Sequence, residues 1–145
     1  MLFRSEGIDS ALLVAKERSP VDAASYQSVA DQLLGADWWS PRRIFVTSPT
    51  AGDGKTCTAF NLAWTLSKRG KSVLLVELNF ARPRFSNALG GLQIQFGIDC
   101  AIRRLSKPED AVFSIGNELL SVSAVKNAMR MGELKQHLQI GRAHV

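Results

Sequence analysis

The chain has 145 residues, 46% of them hydrophobic, and a formal net charge of +5 from 18 basic and 13 acidic side chains. That length suits one globular domain or a piece of one. No apolar run approaches the roughly 20 residues of a membrane span, and the N-terminus lacks the order of a secretory signal, so the expected location is the cytosol.

Taken in chain order, the first expected element is a short helix over Asp9–Glu17. Ser19-Pro20 then reads as a cap and first helical residue, with Asp22 three places after Ser19. Tyr26, Val29 and Leu33 recur at helical spacing and are expected to face the core, and Gly35 ends the helix. Trp38 and Trp39 fall in a linker and are read as packing residues. Ile44-Phe45-Val46-Thr47 is a short apolar run suited to a buried strand. A loop of small residues, Ser48–Gly54, leads into a helix over Lys55–Arg69 with Ala59, Leu62, Ala63 and Leu66 as its apolar stripe. Gly70 stops it, and Val73-Leu74-Leu75-Val76 reads as a parallel strand covered on both faces. Residues 43–78 thus form a strand–loop–helix–strand unit.

Further on, Ser106 and Glu109 have the spacing of a capping box that opens a short helix to about Phe113. Leu119–Val122 reads as a third strand and Met131–Leu138 as a helix. The expected class is α/β, a parallel sheet flanked by helices, of which the chain carries the N-terminal part. The division expected is a helical segment over 1–40, a partial nucleotide-binding domain over 41–139, and a tail over 140–145.

The loop Ser48-Pro49-Thr50-Ala51-Gly52-Asp53-Gly54-Lys55-Thr56 carries the chemistry. The P-loop (Walker A) pattern is glycine, four free positions, then Gly-Lys-Ser/Thr; here Pro49 stands at the first glycine and Gly54, Lys55 and Thr56 match. Glycines let backbone N–H groups turn toward phosphate oxygens, and the helix that follows adds its positive dipole end. The expected nucleotide contacts are Ala51, Gly52, Asp53, Gly54, Lys55, Thr56 and Cys57. Lys55 is expected to reach the β- and γ-phosphates, and the Thr56 hydroxyl to ligate magnesium. The charge distribution agrees: residues 41–84 hold eight basic and two acidic side chains, against three and six in residues 1–40. Such a field draws anions. Nucleic acid is the weaker reading, because no aromatic–basic interleaving accompanies the charge. Cys57 and Cys100 lie far apart and form no metal spacing, as free thiols of a reducing compartment do; His137 and His144 show no ligand spacing, and Arg103 and Arg104 are read as a solvated helix face.

Residues 43–83 resemble the bacterial tyrosine kinases of capsule and exopolysaccharide biosynthesis, relatives of the ParA/MinD ATPases. Val46–Thr56 matches their V-T-S-P-x-P-G-E-G-K-S/T loop, and Leu74–Pro83 their L-L-I-D-x-D-x-R-R-P strand end. Thr50 stands where ParA-type loops carry a signature lysine, which favours the kinase branch. The resemblance implies Mg-ATP as cofactor, phosphoryl transfer to protein tyrosine, and a membrane chain-length regulator as partner at the inner face of the membrane. It also implies Glu77 as a catalytic and magnesium-organising carboxylate, and Arg82 as a nucleotide contact.

The departures are specific. Glu77 replaces the family's first aspartate, Asn79 the second, and Ala81 an arginine. The helix motif E-x-x-R-x-x-R of subunit contacts falls on Ala24, Gln27 and Ala30, which argues against ring-like self-association. Two other functions stay open: a non-catalytic adaptor that uses nucleotide to change shape, and a ParA/MinD-type positioning ATPase. Ile140–Val145 reads as the translation of a sequencing adapter, so the expectation is a truncated gene fragment of poor solubility. An unbroken genomic frame encoding that hexapeptide before a natural stop would refute the fragment reading.

Overall fold

The computed structural model describes residues 2–3, 20–35, 42–115 and 117–142. The helix expected over 9–17, the Ser19 cap, the Trp38-Trp39 linker and the last three residues lie outside them. The elements are β1 (Leu2–Phe3), α1 (Pro20–Leu34), α2 (Lys55–Lys68), β2 (Val73–Val76), α3 (Phe85–Ala88), α4 (Ile98–Ile102), a 3-10 turn at Pro108–Ala111, β3 (Phe113–Ile115), β4 (Asn117–Ser123) and α5 (Met131–Arg142).

The four strands form one sheet in the order β1-β3-β4-β2. β2 runs parallel to β4, with Val73 opposite Leu120 and Val76 opposite Ser123, and β1 runs parallel to β3. β3 and β4 are antiparallel. The α/β class is as expected, but the sheet is mixed rather than parallel throughout, because β3 and β4 follow each other too closely for a crossover.

Helix α2 packs on the sheet and links two cores. Phe60 stacks in tilted contact with Phe85, ring centroids 4.7 Å apart, and both join Leu89, Ile115, Val122 and Ala124. One turn on, Leu62 and Leu66 meet Ala30 of α1, with Tyr26 and Leu33 at the margin. The stripe expected on α2 is confirmed at Leu62, Ala63 and Leu66, and Phe60 extends it. On α1 Tyr26 and Leu33 face the core as expected, but Ala30 is fully buried while Val29 is 44% exposed. A third cluster joins Phe80, Val125 and Met129 to Ile98, Ile102 and Leu134 of α4 and α5.

The largest departure is at residues 44–47. They belong to no strand among the described residues, and Ile44, Phe45 and Val46 are 44%, 76% and 37% exposed. An apolar run is buried as a strand only when it has sheet neighbours on either side, and none of the four strands reaches it. β2 shares the consequence. It is an edge strand, so Leu74, expected to be covered, is 56% exposed. The capping box is also displaced by one residue: the Lys107 N–H donates to Asp110 Oδ2 at 3.2 Å, and Pro108 opens the turn in place of the Ser106-led helix. No helix among the described residues is long and apolar enough to cross a membrane.

Candidate nucleotide site

The loop before α2 is shaped by two glycines. Gly52 has φ +87° and Gly54, which caps α2, has φ +81°. Both values lie in the left-handed region, where a Cβ is strained. No atom stands within 4 Å of a Cβ built on either one, so backbone conformation selects glycine at these sites, and the space above the turn is open. No side chain caps the first turn of α2. A helix start is the part of a helix that takes up anions through its leading N–H groups.

Side chains hold the loop in this form. The Thr50 hydroxyl donates to Asp53 Oδ1 at 2.6 Å, and the Thr50 N–H to Oδ2 at 3.2 Å. The hydroxyl bond is the main reason the Asp53 carboxyl sits below the usual carboxylate range. The Ser48 hydroxyl donates to the Thr50 carbonyl at 2.8 Å. Lys55 folds back across the loop, its ammonium 2.6 Å from Ser48 Oγ and 3.0 Å from the Thr50 carbonyl. Thr56 and Cys57 follow in the first turn, both half-buried. One turn deeper, buried Asn61 donates to the Cys57 carbonyl at 2.8 Å and to its sulfur at 3.2 Å, which steadies this end of α2. Ala51, Gly52, Asp53 and Gly54 are all exposed. The structure thus brings together every expected contact from Ala51 to Cys57.

Glu77 is held by main-chain amides. It follows β2 and is only 2% exposed. Its Oε1 accepts the N–H groups of Arg84 and Phe85, and its Oε2 that of Val125 at 2.9 Å. Burial pushes its carboxyl above the ordinary range, and the three amides pull the other way without prevailing. Among the described residues no hydrogen bond or ion pair joins Glu77 to Lys55 or Thr56. A carboxylate so engaged ties two loops together at the C-terminal end of β2 and β4. The same loop holds Asn79, whose side-chain oxygen accepts the Arg82 N–H at 3.3 Å; the Arg82 side chain is exposed.

Sequence reasoning missed Asp99. It is fully buried, and its oxygens accept the N–H groups of Lys126 at 2.7 Å and Asn127 at 3.1 Å. Arg103, expected on a solvated face, donates to Asp99 at 3.1 Å and pairs with Glu133 of α5 at 2.8 Å. The signal was present: an aspartate inside the apolar run Ile98–Ile102 must find donors, since a buried charge without partners is prohibitively costly. Glu77 and Asp99 together grip three successive amides, residues 125 to 127.

Phosphate is the group these residues fit: a glycine-shaped turn, an ammonium and a hydroxyl at a helix start. A magnesium ion commonly keeps most of its waters and takes its remaining ligands from phosphates and one or two side chains. Thr56 can be one of them. Among the described residues no group of three His, Cys, Asp or Glu side chains converges as a metal site.

A glycine-shaped loop that opens a helix beside a strand defines an α/β nucleotide-binding protein. Comparison with known proteins refines that class. Residues 44–144 match the model of the CobQ/CobB/MinD/ParA nucleotide binding domain, and the chain belongs to that family. It is 31% identical over 81 residues to the tyrosine-protein kinase YwqD of Bacillus subtilis (strain 168), a match covering 56% of this chain and 34% of that protein. Among solved structures, the chimerical protein CapA2B2 superposes with a TM-score of 0.72 at 18% identity, over 99% of this chain and 64% of that one. The chain thus spans about a third of its curated relative. These findings fit the tyrosine-kinase and ParA-like branch.

Proposed function

We propose that the chain binds a nucleoside triphosphate, ATP with magnesium, in a Walker A loop formed by Ala51–Cys57, and that it derives from a tyrosine kinase of polysaccharide biosynthesis. The observation that carries the reading is the left-handed pair Gly52 and Gly54 opening α2, with the Lys55 ammonium held across the loop. Amides of residues 52–56 would cradle the β-phosphate and Lys55 would bridge to the γ-phosphate. Thr56 would hold magnesium, which supplies charge neutralisation at the phosphates. Arg82, on the exposed loop after β2, is proposed as a further phosphate contact. Transfer to a tyrosine would break the bond between the β,γ-bridging oxygen and the γ-phosphorus and form one to the phenolic oxygen. The phenolic proton then needs a base that Asn79 cannot supply. By resemblance, the partner would be a membrane chain-length regulator, with the protein at the cytoplasmic face.

A second reading, the non-catalytic adaptor, is favoured by one observation: the Glu77 carboxylate is spent on three backbone amides. Phosphotyrosine formation by the full-length protein separates the two. The shared claim, nucleotide binding, is tested by Mg-ATP titration of the wild type and Lys55→Ala. A charge-assisted hydrogen bond contributes about 1.5–3 kcal/mol, so at least a tenfold loss of affinity is expected. Undiminished affinity in Lys55→Ala would refute the site.

A further inference from the structure

β2 and β4 are parallel neighbours, so the loops that follow them, residues 78–84 and 124–130, leave the sheet at the same end. The two loops are fastened to each other at two points. The Met129 N–H donates to the Phe80 carbonyl at 2.9 Å, and the Glu77 carboxylate accepts the N–H groups of Arg84 and Val125 together. These are two rungs between loops that run in opposite directions, four residues apart on each. Four residues of extended chain span at most about 14 Å, so the rungs frame a short ledge. Asp99 fixes it further by accepting the amides of Lys126 and Asn127. The two loops carry Arg82, Arg84, Lys126 and Arg130 and no acidic residue. All four cations are exposed, and no ion pair among the described residues engages them. The Lys126 ammonium donates to the Gln95 carbonyl at 2.9 Å, a bond that leaves its charge uncompensated. The carboxylates that fasten the loops, Glu77 and Asp99, are buried.

We propose that this ledge binds an acidic segment of a partner protein, a short run of Asp or Glu side chains in extended chain. Charge complementarity is the first argument: four cations on a ledge without a carboxylate of its own attract a run of negative charge. Three of the four are arginines, whose forked donors match carboxylates two bonds at a time. Their loops are already held by buried carboxylates, so little backbone freedom is lost on binding. Size is the second argument. The ledge has the length of about four extended residues, against roughly 34 Å for one turn of a DNA duplex. The one aromatic side chain on the two loops, Phe80, is 8% exposed, which leaves no ring for a base to stack on. Phe80, Val125 and Met129 join a core cluster, so the ledge has little apolar surface to insert into a bilayer. The inference stands on the two loops and does not depend on nucleotide binding.

The test is fluorescence anisotropy of a labelled hexaglutamate peptide titrated with the intact protein. The expected result is saturable binding that weakens as salt rises. Arg84→Ala combined with Arg130→Ala removes one cation from each loop and is expected to lower affinity by about tenfold or more. Arg84→Lys with Arg130→Lys keeps the charges and is expected to lose less, which separates a lost contact from a lost fold. Absence of binding, or equal affinity in wild type and the double alanine variant, would overturn the inference. So would tighter binding of oligothymidylate or of phosphatidylserine vesicles with the same loss in the alanine variant, which would assign the ledge to nucleic acid or lipid. Complete displacement of the peptide by saturating Mg-ATP would overturn it as well, by giving the ledge to the nucleotide.

Discussion

Replacing Glu77 with alanine distinguishes a structural carboxylate from a metal ligand. The substitution leaves the N–H groups of Arg84, Phe85 and Val125 without their acceptor. A buried donor left unsatisfied costs about 1–3 kcal/mol, so three give roughly 3–9 kcal/mol. Water entering the vacated space satisfies part of this, and the cost of burying the carboxylate disappears, so the net loss is about 3 kcal/mol. Glu77→Gln retains one oxygen for Arg84 and Phe85 but turns an amide nitrogen toward the Val125 N–H. Its expected loss is about 2 kcal/mol. Urea denaturation followed by circular dichroism reads both, with magnesium-dependent nucleotide affinity measured on the same preparations. If Glu77→Gln kept wild-type stability and lost only the magnesium dependence of binding, Glu77 would be a metal ligand and the reasoning would fail.

Other consequences follow from the same geometry. A Cβ at Gly97 would stand 2.4 Å from both Asp99 Oδ1 and the Lys126 nitrogen and 2.7 Å from the Ala124 carbonyl; Gly97→Ala is therefore expected to cost about 3 kcal/mol in urea denaturation, and an unchanged midpoint would contradict the packing. The folded-state pKa of Glu77 is raised above 4.5, so its contribution to stability is complete below about pH 4.5 and is lost as pH rises through the folded value. The difference in stability between wild type and Glu77→Gln should accordingly shrink as pH rises from 4.5 toward neutrality; a growing difference would reverse the sign. The exposed Phe45 and Leu74 predict poor solubility for residues 1–139 expressed alone. A monodisperse preparation with a cooperative melt would contradict this.

The loop and its helix were legible because their signals are local. Gly54-Lys55-Thr56 after a run of small residues fixes a turn, a charge and a helix start at once, and α2 begins at Lys55 as read. The stripe on α2 followed from its period alone. What failed depended on partners distant in sequence. Ile44–Thr47 has the composition of a buried strand, yet a strand is made by its neighbours, and no ladder among the described residues includes it. Glu77 lies on the matching strand position, and what the sequence did not show is that its carboxylate accepts the amides of residues 84, 85 and 125. No local spacing links those positions. Asp99 was passed over for a similar reason: its partners at 126 and 127 come from the loop after β4. β3 is three residues long and carries too little pattern to be read.

The account depends most on an anion resting against the amides that open α2. Backbone amide chemical-shift mapping on addition of Mg-ATP tests this residue by residue. The largest shifts are expected at Gly52, Gly54, Lys55 and Thr56, with little change at Asp99, Lys126 and Asn127. Saturating nucleotide that left the residues from Gly52 to Thr56 unmoved would contradict the site, whatever affinity was recorded.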